Sequence, residues 1–192
     1  MGDQPITGAY HESNTFTDKS NIYAYEKYRE SLQIYPQRTT DIVTVETGLQ
    51  VGVPTTIIMS PTIYGLGSGA FNKQSIQVPH LMHAASKSGQ VFVIGEGKGV
   101  WDYVHIADLA RLYELLIFKL LAGEEIPTGE TGILFSGTGR YSWRELSENS
   151  ASALFKTGAI KSDIVRSVEL DEAAKLFNSA PLLNVELGFS SK

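Results

Sequence analysis

Short β-branched apolar runs that alternate with helix-type segments constrain this chain more than any other feature. VPTTIIM (53–59) and VFVIG (91–95) are apolar at both odd and even positions. That pattern marks strands buried on both faces, as in a parallel sheet, because a half-exposed strand would alternate. WDYVHI (101–106) and ILFSG (133–137) are two further extended stretches. Between them runs a helix over 109–122, with Leu109, Leu112, Tyr113, Leu116, Ile117 and Leu120 on one stripe. Asp108 is placed to cap its start and Gly123 to stop it. Strand and helix signals that alternate in this way predict an α/β domain.

The remaining segments are predicted with less apolar signal. Residues 1–22 are polar and read as loop, and YAYEKYRESLQI (23–34) reads as a helix that Pro36 ends. Thr39 or Thr40 is expected to cap a second helix, DIVTVET, which stops at Gly48. Ser142-Trp-Arg-Glu145 has the spacing of a capping box and opens a helix ending near Gly158. A last short helix begins after Asp171.

Composition removes several classes of function. Disulfides, thiolate metal sites and cysteine nucleophiles are excluded by the absence of Cys. The net charge of −5 argues against nucleic acid as a partner, since such binders carry a basic face. No apolar run reaches the roughly 18 residues of a membrane span, and the start lacks a basic, then apolar, secretory pattern. These features point to a cytoplasmic, soluble domain that does not engage a membrane. No GxxxxGK[ST], HExxH or GxSxG pattern is present.

Three constellations could carry chemistry. Gly65-x-Gly67-x-x-Ala70 matches the dinucleotide fingerprint formally, but Ser60 to Tyr64 separates the preceding strand from the glycines, and Pro79 interrupts the segment where the helix should run. It reads as a loop beside a ligand cleft. Tyr23 and Lys27 are four residues apart and share one helical face. A lysine beside a phenol lowers its pKa and equips it for proton transfer; the competing reading is a solvated helix face formed with Glu26, Arg29 and Glu30. His80 and His83 could share a face, but a zinc site needs three or four ligands, so no metal is expected. His105, Trp101 and Trp143 read as packing residues.

Several segments together resemble the extended short-chain dehydrogenases/reductases, the NAD-dependent epimerase/dehydratase group, with NmrA-like members closest in character. VPTTIIMSPTIYG is similar to the strand that precedes the substrate subdomain in that family. WDYVHIADLARLYELLI resembles its later aromatic-Val-His/Tyr-Val-x-Asp-Leu-Ala segment, and LFSGTGRYSWRELSENSASAL resembles the strand and helix after it. The resemblance runs from about Asn21 onward.

It implies a partial Rossmann-type fold, a doubly wound parallel sheet, with a small substrate-binding subdomain. Residues 1–64 would be the Rossmann remnant. Residues 65–192 would be the substrate subdomain, interleaved with the last Rossmann strand and helices. No GxxGxxG occurs among the 18 glycines, so the chain is expected to be a truncated piece of a longer NAD- or NADP-binding protein. The implied roles place Tyr23 and Lys27 as the acid/base pair and Ser60, Pro61 and Thr62 at the cofactor. Tyr64, His80, His83 and Trp101 would lie at a small-molecule substrate. The family's Arg before the Asp-aromatic pair is Trp101 here, which argues against a nucleotide sugar. An alternative register puts Arg38 and Ile42 where the family has Tyr and Lys, implying a non-catalytic dinucleotide-sensing or protein-interaction module. A homo-oligomer fits either register.

Overall fold

The structure is a computed structural model that describes residues 16–177. The first helix, α1 (Ile22–Leu32), starts where the Asn21 side chain accepts a hydrogen bond from the Ala24 N–H. The second, α2 (Pro36–Val51), begins after three residues and differs from the predicted one at both ends. Pro36 is its first residue, where the fixed φ suits a helix and the missing N–H costs nothing; Thr39 and Thr40 lie inside. The helix also runs through Gly48 and stops at Gly52, whose φ is +70°. Gly48 serves close approach: a Cβ there would come within 2.5 Å of Thr55 Cγ2 and 2.8 Å of the Val53 carbonyl oxygen.

The strands are shorter than the apolar runs that announce them: β1 (Ile57–Met59), β2 (Thr62–Tyr64), β3 (Phe92–Ile94), β4 (Val100–His105), β5 (Ile133–Phe135), β6 (Gly139–Ser142) and β7 (Arg166–Val168). Val53 and Pro54 stand exposed ahead of β1. The remaining helices are α3 (Gln77–Ser88), α4 (Ile106–Leu121), α5 (Trp143–Lys156) and α6 (Leu170–Phe177). Pro79 sits in the first turn of α3, so it does not break that helix. α4 begins two residues before Asp108, which lies in its first turn and does not cap it. The α5 capping box forms as predicted, with Ser142 and Glu145 each bonding to the other's backbone N–H.

The chain separates into two compact units. The first takes described residues 16–61 and 107–137. In it β1 pairs parallel with β5, Ile57 opposite Ile133. Ile22, Tyr23, Ile42, Val45, Met59 and Ile133 form its core, so α1 and α2 cover one face of that pair. Asp18 accepts a hydrogen bond from the Phe135 N–H at 2.8 Å. Of α4, Leu109 is buried, while Tyr113, Ile117 and Leu120 of the predicted stripe are exposed.

The second unit takes described residues 62–106 and 138–177. Here β2 pairs parallel with β4, β4 antiparallel with β6, and β3 parallel with β7. Val93, Tyr141 and Trp143 centre one cluster, with Trp101 packed against it. Ala85, Val91, Ala151, Leu154 and Ile160 form another between α3 and α5. Mixed α/β architecture with parallel pairing is what the alternating pattern predicts.

Candidate active site

α1 and α2 form a helical hairpin closed by Glu30. Its carboxylate accepts from the Tyr35 N–H at 3.0 Å, from Arg38 Nε at 3.2 Å and from the Thr39 hydroxyl. Arg38 is buried, also donates to the Gln33 carbonyl at 2.6 Å, and lies over the Tyr35 ring. Ile42 is in the hydrophobic core. Thus both residues of the alternative register are engaged in holding the hairpin.

Tyr23 and Lys27 are brought together on α1, as their spacing predicts. A third residue joins them that the sequence did not single out. Glu46 of α2 accepts from the Tyr23 hydroxyl at 3.1 Å and from Lys27 Nζ at 2.8 Å. Nζ also lies 5.4 Å from the centre of the Tyr23 ring. Burial and the Glu46 carboxylate together push the Tyr23 phenol above its ordinary value, outweighing Lys27. Glu46 likewise raises Lys27, and is itself lowered by the two donors. A phenol activated by a nearby lysine would shift the other way. No periodicity could reveal Glu46, because it meets Lys27 across 19 residues of sequence.

Ser60 and Pro61 lie just past β1 at its carboxyl end. Ser136, just past β5, places its hydroxyl 3.1 Å from Ser60 Oγ and 3.3 Å from the Met59 carbonyl oxygen. Ligands of parallel sheets gather outside such carboxyl ends. An open hollow of about 470 Å³ lies at the opposite end, between Leu49, Pro54, Thr55, Gly129 and Glu130.

In the second unit the Thr62 hydroxyl is buried, 3.0 Å from the Tyr141 hydroxyl. Tyr64 ends β2 opposite His105 at the end of β4. Its ring meets His105 edge-on at 5.1 Å and Tyr103 at 5.6 Å. His80 and His83 are exposed on α3. No group of three or more His, Asp or Glu residues converges on a metal position among the described residues. Trp101 is half-buried in β4, opposite Tyr141 of β6.

The fit to a dinucleotide is partial. Ser60 and Ser136 offer hydroxyls at a strand's carboxyl end, which suits a polar ring. The glycine turn does not suit a pyrophosphate. The Gly67 N–H is already donated to the Lys73 carbonyl at 2.7 Å, and the next helix starts only at Gln77. A phosphate cradle needs free N–H groups at a helix N-terminus.

Several known proteins are similar to this chain. Oxidase ucsJ of an Acremonium species is 25% identical over 148 residues, covering 73% of this chain and 42% of the relative. An uncharacterized protein of Schizosaccharomyces pombe is 34% identical over 89 residues, covering 46% of this chain and 28% of that one. The chain therefore spans less than half the length of these curated relatives. A crystal structure of DesIV, a dTDP-glucose 4,6-dehydratase of Streptomyces venezuelae with NAD and TYD bound, shares the fold. Its TM-score is 0.53 at 23% identity, covering 87% of this chain and 45% of that one. The PbgP3 protein of Burkholderia pseudomallei gives 0.56 at 16% identity, covering 92% and 56%. At these identities the likeness is one of fold, a Rossmann-type α/β fold in keeping with the parallel pairs seen here. Residues 5–128 match the sequence pattern of one family over more than half of the chain, and on that match the chain belongs to the NAD-dependent epimerase/dehydratase family.

Proposed function

We propose that this chain is part of an NAD(P)-dependent oxidoreductase or epimerase that acts on a small carbonyl or hydroxyl substrate other than a nucleotide sugar. The observation that carries this reading is the polar edge at the carboxyl ends of β1 and β5, where Ser60 and Ser136 meet, in a chain of this family. The backbone around Ser60, Pro61 and Thr62 would face the cofactor, which supplies hydride chemistry when bound. Tyr64 and Trp101, with His80 and His83, would face the substrate. Trp101 supports the exclusion of nucleotide sugars, because it packs into an apolar cluster where phosphate recognition would want a guanidinium. Tyr23 would move the proton, with Lys27 beside it, and that role requires both to leave Glu46.

The Glu46 contacts favour a second reading, a non-catalytic module that senses dinucleotide or a partner protein. Both donors of the candidate acid/base pair are committed to one carboxylate. Titrating the natural-length protein with NADH and NADPH, then adding aldehydes and ketones, separates the two. Cofactor binding with turnover that falls at least about 100-fold in Tyr23→Phe supports the catalytic reading. Unchanged turnover in that variant removes Tyr23 from the reaction. Binding without turnover of any carbonyl compound supports the sensing module.

A further inference from the structure

The loop between β2 and α3 shows its apolar side chains to solvent. Leu66 is 71% exposed, Phe71 86% and Ile76 73%. The loop is nonetheless folded on itself. Leu66 forms an antiparallel bridge with Gln74, the Gly67 N–H donates to the Lys73 carbonyl, and Asn72 turns the chain with φ +47°. Its base is rigid. Gly65 has φ +97°, and a Cβ there would lie 2.3 Å from His105 Nε2, so the loop leaves β2 against the imidazole. Behind Tyr64, Tyr103 lies near-parallel to Tyr141 at 6.0 Å, and Tyr141 meets Trp143 edge-on at 5.5 Å.

We propose that Leu66, Phe71 and Ile76 form an apolar cap over the carboxyl ends of β2 and β4, and that the substrate is a hydrophobic carbonyl or hydroxyl compound bearing an alkyl chain or aromatic ring. The proposal rests on the oxidoreductase reading for its chemistry but has its own evidence. Three large apolar side chains exposed within eleven residues concentrate apolar surface in one loop, as ligand-facing loops do. The place is the end of two parallel strands where ligands gather. Only Lys73 carries charge between Gly65 and Ile76, so the loop has no arginine fork for bidentate recognition of a phosphate or carboxylate. The three side chains present on the order of 400 Å² of apolar surface. That is about half of the roughly 800 Å² per partner in a stable protein interface, and it matches one wall of a small-molecule site.

The test uses the natural-length protein with NADH or NADPH and straight-chain aldehydes from butanal to decanal, plus 2-naphthaldehyde and glucose. The variant is Leu66→Ser/Phe71→Ser/Ile76→Ser, whose changes lie on the surface and whose fold is checked by far-UV circular dichroism. A kcat/KM that rises roughly 2- to 4-fold per added methylene, and a flat series in the variant, is the expected result. Turnover without that rise, or a rise the variant keeps, overturns the substrate class and leaves the oxidoreductase reading standing. If no carbonyl compound turns over, that reading fails and calorimetric binding of 1-decanol and 2-naphthol decides the cap. Binding that weakens at least tenfold in the variant sustains it, and absent or unchanged binding overturns it. Conversion of a dimer to a monomer by the triple change also overturns it, by assigning the loop to a second copy of the chain.

Discussion

The Tyr23 hydroxyl donates to the Glu46 carboxylate at 3.1 Å, across the turn that joins α1 to α2. Lys27 donates to the same oxygen, so a single carboxylate holds both members of the YxxxK pair. The cluster's contribution to stability therefore depends on pH in a defined way. Glu46 is lowered from 4.5 because Lys27 and Tyr23 donate to it, so its contribution is present above that value and is lost as pH falls through the lowered one. Tyr23 and Lys27 are raised, so theirs is present below about 10 and lost as pH rises through the raised values. Glu46→Gln is expected to lower the melting temperature at pH 7 and to flatten its decline in acid. A variant that melts like the parent from pH 3 to pH 11 would show that the contacts contribute nothing.

Asp41 of α2 points the other way. Burial raises its carboxyl from 3.8 to about 6, so above that pH the folded chain holds a carboxylate it disfavours. The protonated form suits the fold; the cost builds as pH rises from 3.8 and is complete above about 6. Asp41→Asn should stabilise the chain by about 1–2 kcal/mol at pH 7.5, allowing for solvent screening at a half-buried site. The gain should shrink as pH falls to 4. Denaturant unfolding at both values measures it, and an equal gain at the two would dismiss the burial argument.

Gly65 and His105 make a test of close packing. Gly65→Ala introduces a Cβ in a left-handed conformation, costing about 1 kcal/mol or more from backbone strain alone. The same Cβ collides with the imidazole, which should bring the total to roughly 2–3 kcal/mol. In a His105→Ala background the collision is gone and only the strain remains. A double-mutant cycle measured by urea unfolding reads the difference. A coupling energy near zero would mean that the loop leaves β2 by another path.

The fold is legible where hydrophobicity and capping act locally. Ile57 to Met59 and Phe92 to Ile94 pair in parallel as their apolar runs imply, and Ser142 and Glu145 close their box. The ends of α2 are not legible, because Gly48 looks like a stop until the 2.5 Å approach to Thr55 is known. β6 escapes the pattern because Gly139 to Ser142 has no apolar alternation; its pairing with β4 sets Arg140 opposite Asp102, with which it forms an exposed ion pair. The candidate site is half legible. Spacing joins Tyr23 to Lys27, but Glu46 lies on another helix and inverts the expected shift of the phenol.

The glycine turn yields a prediction about cofactor. A ligand that binds only the folded state at a hundredfold excess over its Kd adds about 2.7 kcal/mol. The Gly67 N–H is spent on Lys73, so the 192-residue chain lacks a phosphate cradle at this turn. Millimolar NAD or NADP should leave its melting temperature unchanged within about 1 °C. A clear upward shift would mean that the described residues bind the dinucleotide by another route.

The outer face of α4 sets the solution behaviour of the chain. At 100° per residue, Tyr113, Ile117 and Leu120 continue the stripe that begins with buried Leu109, and Leu121 extends it. Ile117 is 53% exposed and Leu121 79%, with only Arg111, Glu114 and Lys119 as charges between Leu109 and Leu121. A helix so nearly apolar all round is built to be covered. The 192-residue chain should therefore self-associate, and light scattering at increasing concentration should show a mass above 21.0 kDa. Ile117→Glu with Leu121→Lys places opposite charges four residues apart on that face and should shift the population toward monomer. Secondary structure measured by circular dichroism should hold, since neither side chain is in the core. A clean monomer for the unaltered chain would show that the stripe is tolerated in water.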